Sequence, residues 1–478
     1  MLSTLILVSA LAVDFGTEIG KVRPELHSSG FGPQICSCPR ETVDDIRSMG
    51  FKAARTHDWS LTNPSQRVCD YYMIFPLMHL DATKPENYCF GPTDHLLRRT
   101  REEAGLDVFF RLGTSIEHSK GVHFNATIPE DFDKVAETFA GTVRHYNRGW
   151  ANGFAWNIRY WEIWNEPDGV DNMWCKPGET LSGWNKEVRR KNMPSFIRFF
   201  VTCLKRLKSE FGDEIKVGGP ALCNFFPEYF RPLLQACRDA GVAPDFISWH
   251  YYEKDPDLML KWVDDARALC DEMGFLKCEL ILDEWHFFGT YGWDDLRSPD
   301  PERCRLAWEG PHSHNGIDSS AFNLTVLSRF QTSKLDQAYY YGCSHVGDWG
   351  YKDGLMRKYN VYYSLKLFGD FVRDYPSLCS AASSGTVTLL AGKSADGVRR
   401  GLLVTDYMGG GLDLSVRVKG VPAGAIIRAT VLDHERLLEP CVVEFSDGVL
   451  KLRKARPEST AFLVTFMCPC WDPVPLSR

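Results

Sequence analysis

Tyr160-Trp161-Glu162-Ile163-Trp164-Asn165-Glu166-Pro167-Asp168 opens as an aromatic and β-branched run and ends in an Asn-Glu pair stopped by proline. Aromatic and β-branched side chains suit a pleated, buried strand, and proline closes one because it has no N–H for the ladder. The stretch therefore reads as a strand that delivers Glu166, walled by indoles, at its C-terminal end. Glu279-Leu280-Ile281-Leu282-Asp283-Glu284-Trp285-His286 repeats the arrangement, an apolar run ending in Glu284. A fixed acid and a second carboxylate are what cleavage of a sugar acetal demands.

Outward from these two runs, from about residue 50 to 370, short β-rich segments alternate with amphipathic helical ones. That is the pattern of parallel strands joined by crossover helices. Strands are expected at Lys52–Arg55, Asp107–Leu112, Tyr160–Trp164, Lys216–Gly218, Phe246–Trp249, Glu279–Leu282 and Gln337–Tyr341, with the first near Glu25–Gly30. Apolar residues three and four apart mark helices at Asp131–Tyr146, Ser195–Glu210 and Leu258–Met273. Roughly eight such units close into an α/β fold, the (β/α)8 TIM barrel, whose functional groups sit where strands end. After about Arg373, alternating segments at Thr386–Leu390, Arg400–Thr405, Leu412–Val418, Ala425–Leu432, Val442–Phe445 and Ala461–Phe466 predict a C-terminal antiparallel β-sandwich domain. The expected partition is an N-terminal strand within residues 1–24 packing on the sandwich, a barrel over 25–372 and the sandwich over 373–478.

Of the 478 residues, 44% are hydrophobic and 24% charged, enough to bury a large core. A formal net charge of −7 argues against nucleic acid, whose binding leans on clustered lysine and arginine. Leu2 to Val13 is apolar but lacks a basic leading segment and is shorter than the roughly 20 residues that span a membrane. Because Val13 to Lys21 continues as a strand, retention is favoured over cleavage, and a cytoplasmic location over secretion. None of the 16 cysteines forms Cys-x-x-Cys, and Cys36/Cys38 and Cys468/Cys470 are too close for the common zinc patterns. They read as small buried hydrophobes or free thiols, and no metal or other cofactor is expected.

Polar and aromatic residues gather at five strand ends, including Arg55-Thr56-His57-Asp58, His250-Tyr251-Tyr252 and the segment Tyr341 to Trp349. Glu166 is the candidate acid and later base, and Glu284 the candidate nucleophile. An acid must stay protonated before the first step, while the nucleophile must be ionised, which a cation such as Arg55 and a hydroxyl such as that of Tyr252 would favour. Asn165 suits the sugar hydroxyl beside the anomeric carbon. His57, Asp58, His250, Tyr341 and Trp349 complete the candidate substrate-binding set. The competing readings are a helix-opening acid for Glu166, a salt-bridged carboxylate for Glu284 and structural histidines at 57 and 250. His312 and His314 are read as either pocket or solvated loop. Strand alternation would scatter Asp283, Glu284 and His286 to both faces, which speaks against a metal there.

These residues resemble the clan of retaining glycosidases on (β/α)8 barrels, most closely glycoside hydrolase family 39, the β-xylosidases and α-L-iduronidases. The likeness covers roughly residues 50 to 370. It is carried by Arg55-Thr56-His57, Trp164-Asn165-Glu166-Pro167-Asp168, Lys216-Val217-Gly218-Gly219-Pro220-Ala221, Asp245 to Tyr252, Asp283-Glu284 and Tyr359 to Phe368. Two departures bear on substrate. Tyr341 stands where the clan has tryptophan, so the sugar floor is expected to use Trp349. Tyr251 and Tyr252 stand where iduronidases have basic residues, which favours a neutral sugar. The resemblance implies an exo-acting retaining enzyme on a β-linked neutral sugar, with β-D-xylose first. An α-L-arabinofuranosidase, an α-L-iduronidase or an endo-glycanase on the same scaffold stays open, as does a non-catalytic carbohydrate-binding barrel. The expected partner is an oligosaccharide or glycoside, not nucleic acid or a membrane, and a homo-oligomer is compatible with the sequence.

Overall fold

The computed structural model describes residues 11–33, 39–57, 64–115, 127–169, 174, 176, 186–343 and 349–469, so Asp58 lies outside the described residues. After a first strand, β1 (Ala12–Lys21), eight parallel strands close into a barrel. They are β2 (Ser28–Ser29), β3 (Ala53–Arg55), β4 (Asp107–Leu112), β5 (Tyr160–Ile163), β6 (Lys216–Leu222), β7 (Phe246–Glu253), β8 (Glu279–Phe287) and β9 (Gln337–Tyr340). Closure is made by β2, which pairs with β9 through Ser28↔Tyr339 and Ser29↔Tyr340.

Crossover helices clothe the barrel. Phe132–Arg148 begins where the Asp131 carboxylate accepts the Lys134 N–H at 2.9 Å. Pro256–Glu272 begins in the same way at Asp255, which accepts from Asp257 N at 2.9 Å, with a proline in its first turn. Such caps satisfy N–H groups that a helix start leaves unpaired and are worth about 1 kcal/mol each. Inside the barrel, Ala53, Phe109, Phe246, Ile281 and Tyr339 form a buried layer of their own, with the Phe109 and Tyr339 rings 4.9 Å apart. At about 1.5–3 kcal/mol per buried large side chain, this plug fills the lower barrel and leaves the mouth to polar groups.

Three strands outrun the apolar segments that announce them: β6 continues to Leu222, β7 to Glu253 and β8 to Phe287. Their added residues include His250, Tyr252 and Glu284, which the barrel interior pairs with one another. Hydrophobicity ends before the strand does because the mouth is polar.

The C-terminal strands are β10 (Ser377–Ala382), β11 (Val387–Lys393), β12 (Arg399–Asp406), β13 (Asp413–Lys419), β14 (Ile426–Leu432), β15 (Leu437–Pro440), β16 (Glu444–Ser446), β17 (Val449–Arg453) and β18 (Thr460–Met467). With β1 they form one ten-stranded sheet that curls around a core including Val13, Phe15, Leu402, Val416, Val431 and Phe462. β1 sits between β10 and β13, antiparallel to the first and parallel to the second. Sheet and barrel touch where the Tyr407 hydroxyl donates to the Lys254 carbonyl at 2.9 Å and Asn360 Nδ2 to the Asp433 carbonyl at 2.9 Å. Among the described residues no helix is long and apolar enough to cross a membrane. Most of the described cysteines are buried.

Candidate active site

The Asn165-Glu166 pair is presented by a backbone that leaves the strand abruptly. Trp164 has φ +77° and Glu166 φ +45°. Left-handed backbone costs about 1–2 kcal/mol at a residue with a side chain. The cost is offset locally: Glu166 N–H donates to the Ala221 carbonyl at 2.9 Å, and the Trp164 ring packs on Trp174 and Phe199 at 5.0 and 5.4 Å. Gly113 makes room, since a Cβ there would stand 3.0 Å from Trp164 Cα.

On β8, Leu282 pairs with Trp249 but Glu284, not Asp283, pairs with His250. This bulge absorbs one residue and overrides strict alternation. The expectation that Asp283 and Glu284 face opposite ways is thereby corrected, because both reach the barrel interior. Alternation does hold on β7, where Phe246 joins the plug and Ser248, His250 and Tyr252 rise above it toward the mouth.

Arg55 stands at the centre, fully buried. Its Nε donates to Glu162 Oε2 at 2.7 Å, Nη2 to Asn165 Oδ1 at 2.8 Å and Nη1 to Glu284 Oε2 at 3.3 Å, while Nη2 lies 3.0 Å from Asp283 Oδ2. Glu284 also faces His57 Nε2 at 2.9 Å and accepts from the Tyr252 hydroxyl. His250 bridges the two sides, with Nδ1 at 2.8 Å from Glu166 Oε1 and Nε2 at 3.2 Å from Asp283 Oδ2. One oxygen of Glu166, one nitrogen of His250 and one oxygen of Glu284 lie within 4.8 Å of one another.

The charges decide the protonation states. Burial alone would raise the Glu284 carboxyl, but His250, His57 and Arg55 outweigh it and hold the group far below the usual carboxylate range. Burial would lower His250, but Glu284 and Asp283 raise it well above an ordinary imidazole, with help from the hydrogen bond to Glu166. Glu162 goes the other way: burial pushes it up to about 7, with Asp283 adding to the rise and Arg55 and Ser248 opposing it. In its protonated form His250 donates from Nδ1 to Glu166 and from Nε2 to Asp283, which ties the cluster together.

Every described candidate lies at this mouth. The Tyr341 ring stands 5.3 Å from His57, 6.0 Å from Tyr252 and 5.4 Å from Trp349. Trp349 continues the wall to His286 at 5.2 Å, His314 at 5.8 Å and Trp293 at 5.9 Å. His314 is therefore a wall residue, its pKa lowered by burial to about 4. His312 instead pairs with Asp318 at 2.7 Å, with half its side chain exposed. Sequence reasoning passed over Glu162, Ser248 and Asp283 as site residues. The available signal for Glu162 was a carboxylate in the middle of a buried strand, which must find a partner.

Comparison with known proteins finds glycosidases, in sequence and in fold. Residues 41–265, just under half of the chain, match the model of glycosyl hydrolases family 39. That segment holds Arg55, Asn165, Glu166 and His250, while Glu284 lies beyond it. A β-xylosidase of Geobacillus stearothermophilus is 27% identical over 182 residues, 34% of this chain and 32% of that protein. A β-xylosidase of Caldicellulosiruptor saccharolyticus is 24% identical over 274 residues, 52% of this chain and 47% of that protein. The chain thus spans about a third to a half of the length of these curated relatives. A crystal structure of a glucosidase from Croceicoccus marinus superposes with a TM-score of 0.71 at 19% identity, covering 97% of this chain and 99% of that one. A family 51 α-L-arabinofuranosidase from Thermotoga petrophila gives 0.65 at 13% identity, covering 95% and 99%. The sequence is related to family 39 glycosidases, and the whole fold is shared with solved glycosidases.

Proposed function

We propose that this chain is an exo-acting, retaining glycoside hydrolase that removes a neutral β-linked sugar, β-D-xylose first, by double displacement. The observation that carries the reading is the approach of Glu166 and Glu284, whose nearest-facing oxygens lie within 4.8 Å. Retaining pairs stand about 5–5.5 Å apart, whereas inverting pairs leave about 6.5–9.5 Å for a water. Glu284, kept ionised by its cationic neighbours, attacks the anomeric carbon. Glu166 protonates the leaving oxygen, then takes a proton from the water that releases the sugar. Tyr252 aims one Glu284 oxygen through its hydroxyl. Asn165 Oδ1 accepts from Arg55 Nη2, and its Nδ2, which has no acceptor among the described residues, is assigned to the sugar hydroxyl beside the anomeric carbon. Similarity to β-xylosidases and the uncharged Tyr252 and Tyr341 surface support a neutral sugar.

The test is nitrophenol release from β-xyloside, α-arabinofuranoside, β-glucoside, β-galactoside and α-iduronide by wild type beside Glu284→Gln, with proton NMR of the first-formed anomer. Turnover of the β-xyloside by wild type alone, with the β-anomer appearing first, is the expected result. A first-formed α-anomer would overturn the retaining mechanism. Binding of xylo-oligosaccharides by both proteins, with cleavage of neither aryl glycosides nor oligosaccharides, would replace the enzyme by a binding barrel.

A further inference from the structure

Glu162 is fully buried, touches neither Glu166 nor Glu284, and has no part in the reaction described above. Its two oxygens are nevertheless committed. Oε2 accepts from Arg55 Nε at 2.7 Å and stands 2.7 Å from Nη2, and Oε1 accepts from the Ser248 hydroxyl at 2.7 Å. A guanidinium is a rigid plane, so fixing Nε and Nη2 on one side fixes where the remaining N–H groups point on the other. Those groups reach Asn165 Oδ1 at 2.8 Å and Glu284 Oε2 at 3.3 Å. On the second arm, Ser248 Oγ accepts the Ala221 N–H at 3.0 Å, and the Ala221 carbonyl accepts the Glu166 N–H at 2.9 Å. One carboxylate below the mouth is thus wired to the supports of both glutamates above it.

We propose that Glu162 is a positioning residue of this active centre, orienting Arg55 toward Asn165 and Glu284 and, through Ser248 and Ala221, steadying the turn that presents Glu166. The inference rests on the glycosidase reading for what is positioned, not for the wiring itself. The charged and titratable groups packed against Glu162 are Arg55 from β3, Asp283 from β8 and Tyr339 from β9. Arg111, opposite it on β4, is occupied with Asp70 at 2.8 Å. Because burial moves the Glu162 ionisation to about 7, its clamp on Arg55 is fully charged only above that pH.

The experiment compares wild type with Glu162→Gln, a same-size amide without the charge, across pH 5 to 9. On the glycoside that the panel identifies, kcat/KM of the variant should fall about 10- to 100-fold at pH 8 and approach wild type below pH 6, where the native carboxyl is itself neutral. The ionisation near 7 in the wild-type profile should be absent from the variant. Ser248→Ala should cost less, and the double variant less than the product of the two. A second readout needs no substrate: the crystal structure of folded Glu162→Gln should show the Arg55 guanidinium turned away from Asn165. An unmoved guanidinium would overturn the proposal, as would a deficit equal at all pH values. If wild type cleaves no glycoside, the function fails while the crystal structure still decides the wiring.

Discussion

Glu166 and His250 are joined by a hydrogen bond of 2.8 Å between Oε1 and Nδ1, while the other face of the same imidazole lies 3.2 Å from Asp283 and 3.6 Å from Glu284. A single protonated ring therefore serves both members of the carboxyl pair. It keeps Glu284 ionised by its charge and fixes Glu166 by its N–H. Its removal should be felt in the acid limb of the rate profile. With His250→Gln, Glu284 loses the largest influence opposing its protonation and its pKa rises. The acid limb of kcat/KM should move to higher pH, read by assaying folded variant and wild type in parallel from pH 3 to 8.

Glu284→Gly should lose about 1,000-fold or more of the turnover and regain part of it with sodium azide, giving the inverted glycosyl azide. Product analysis by NMR checks this. Failure of every small anion to restore a folded Glu284→Gly protein would place the nucleophile elsewhere.

Glu166→Ala should lose about 100- to 10,000-fold on a disaccharide but far less on a nitrophenyl glycoside, whose leaving oxygen needs little protonation. The dependence of rate on leaving-group pKa, absent or shallow in wild type and steep in the variant, is the measurement. Equal losses on both substrates would deny Glu166 its role.

Folding should take up protons at two of these buried groups. His250 and Glu162 both have folded pKa values above their unfolded ones. Each contributes stability that is full below its unfolded pKa, about 6.5 and 4.3, and is lost as pH rises toward its folded value. Glu284 opposes this only in acid, where its depressed pKa removes stability as pH falls below about 4.3. Burial lowers His27, His286 and His314 to about 4, 3 and 4, so these three add stability as pH rises toward about 6.5 and pull the other way. The readout is therefore the difference in melting temperature: between pH 5.5 and 8 wild type should lose stability relative to Glu162→Gln. A difference between the two proteins that stays constant over that range would contradict the raised Glu162 pKa.

Trp349→Ala should raise KM by about tenfold, roughly 1.4 kcal/mol, with a smaller change in kcat. Its ring touches Tyr252, Tyr341, His286, His314, Trp308 and Trp293 and carries no hydrogen-bonding duty toward either glutamate. A loss confined to kcat would mean that the ring acts on the chemistry instead of on binding.

Much of the barrel could be read from residue pattern because each strand is a short apolar run between amphipathic helices, and β4 begins and ends where its run does. The site residues were legible where a polar group follows an apolar run, as at Arg55, Glu166 and Glu284. Asp283 was not, because a bulge depends on the partner strand and period-two reasoning sees only one strand at a time. Glu162 was missed for a related reason: its partners Arg55 and Ser248 come from β3 and β7, so nothing nearby in sequence announces them. In the C-terminal sheet, β10 escaped notice because Ser377 to Ala382 is small and polar, and β15 because it is a largely exposed edge.

The place of β1 in that sheet carries a consequence for biosynthesis. β1 has its two neighbours, β10 and β13, encoded far downstream, after the entire barrel. It must wait unpaired through most of translation, since a ladder with distant partners cannot close until they exist. A cut past Lys21 would sever the sheet at its seam, stranding six strands on one side and three on the other.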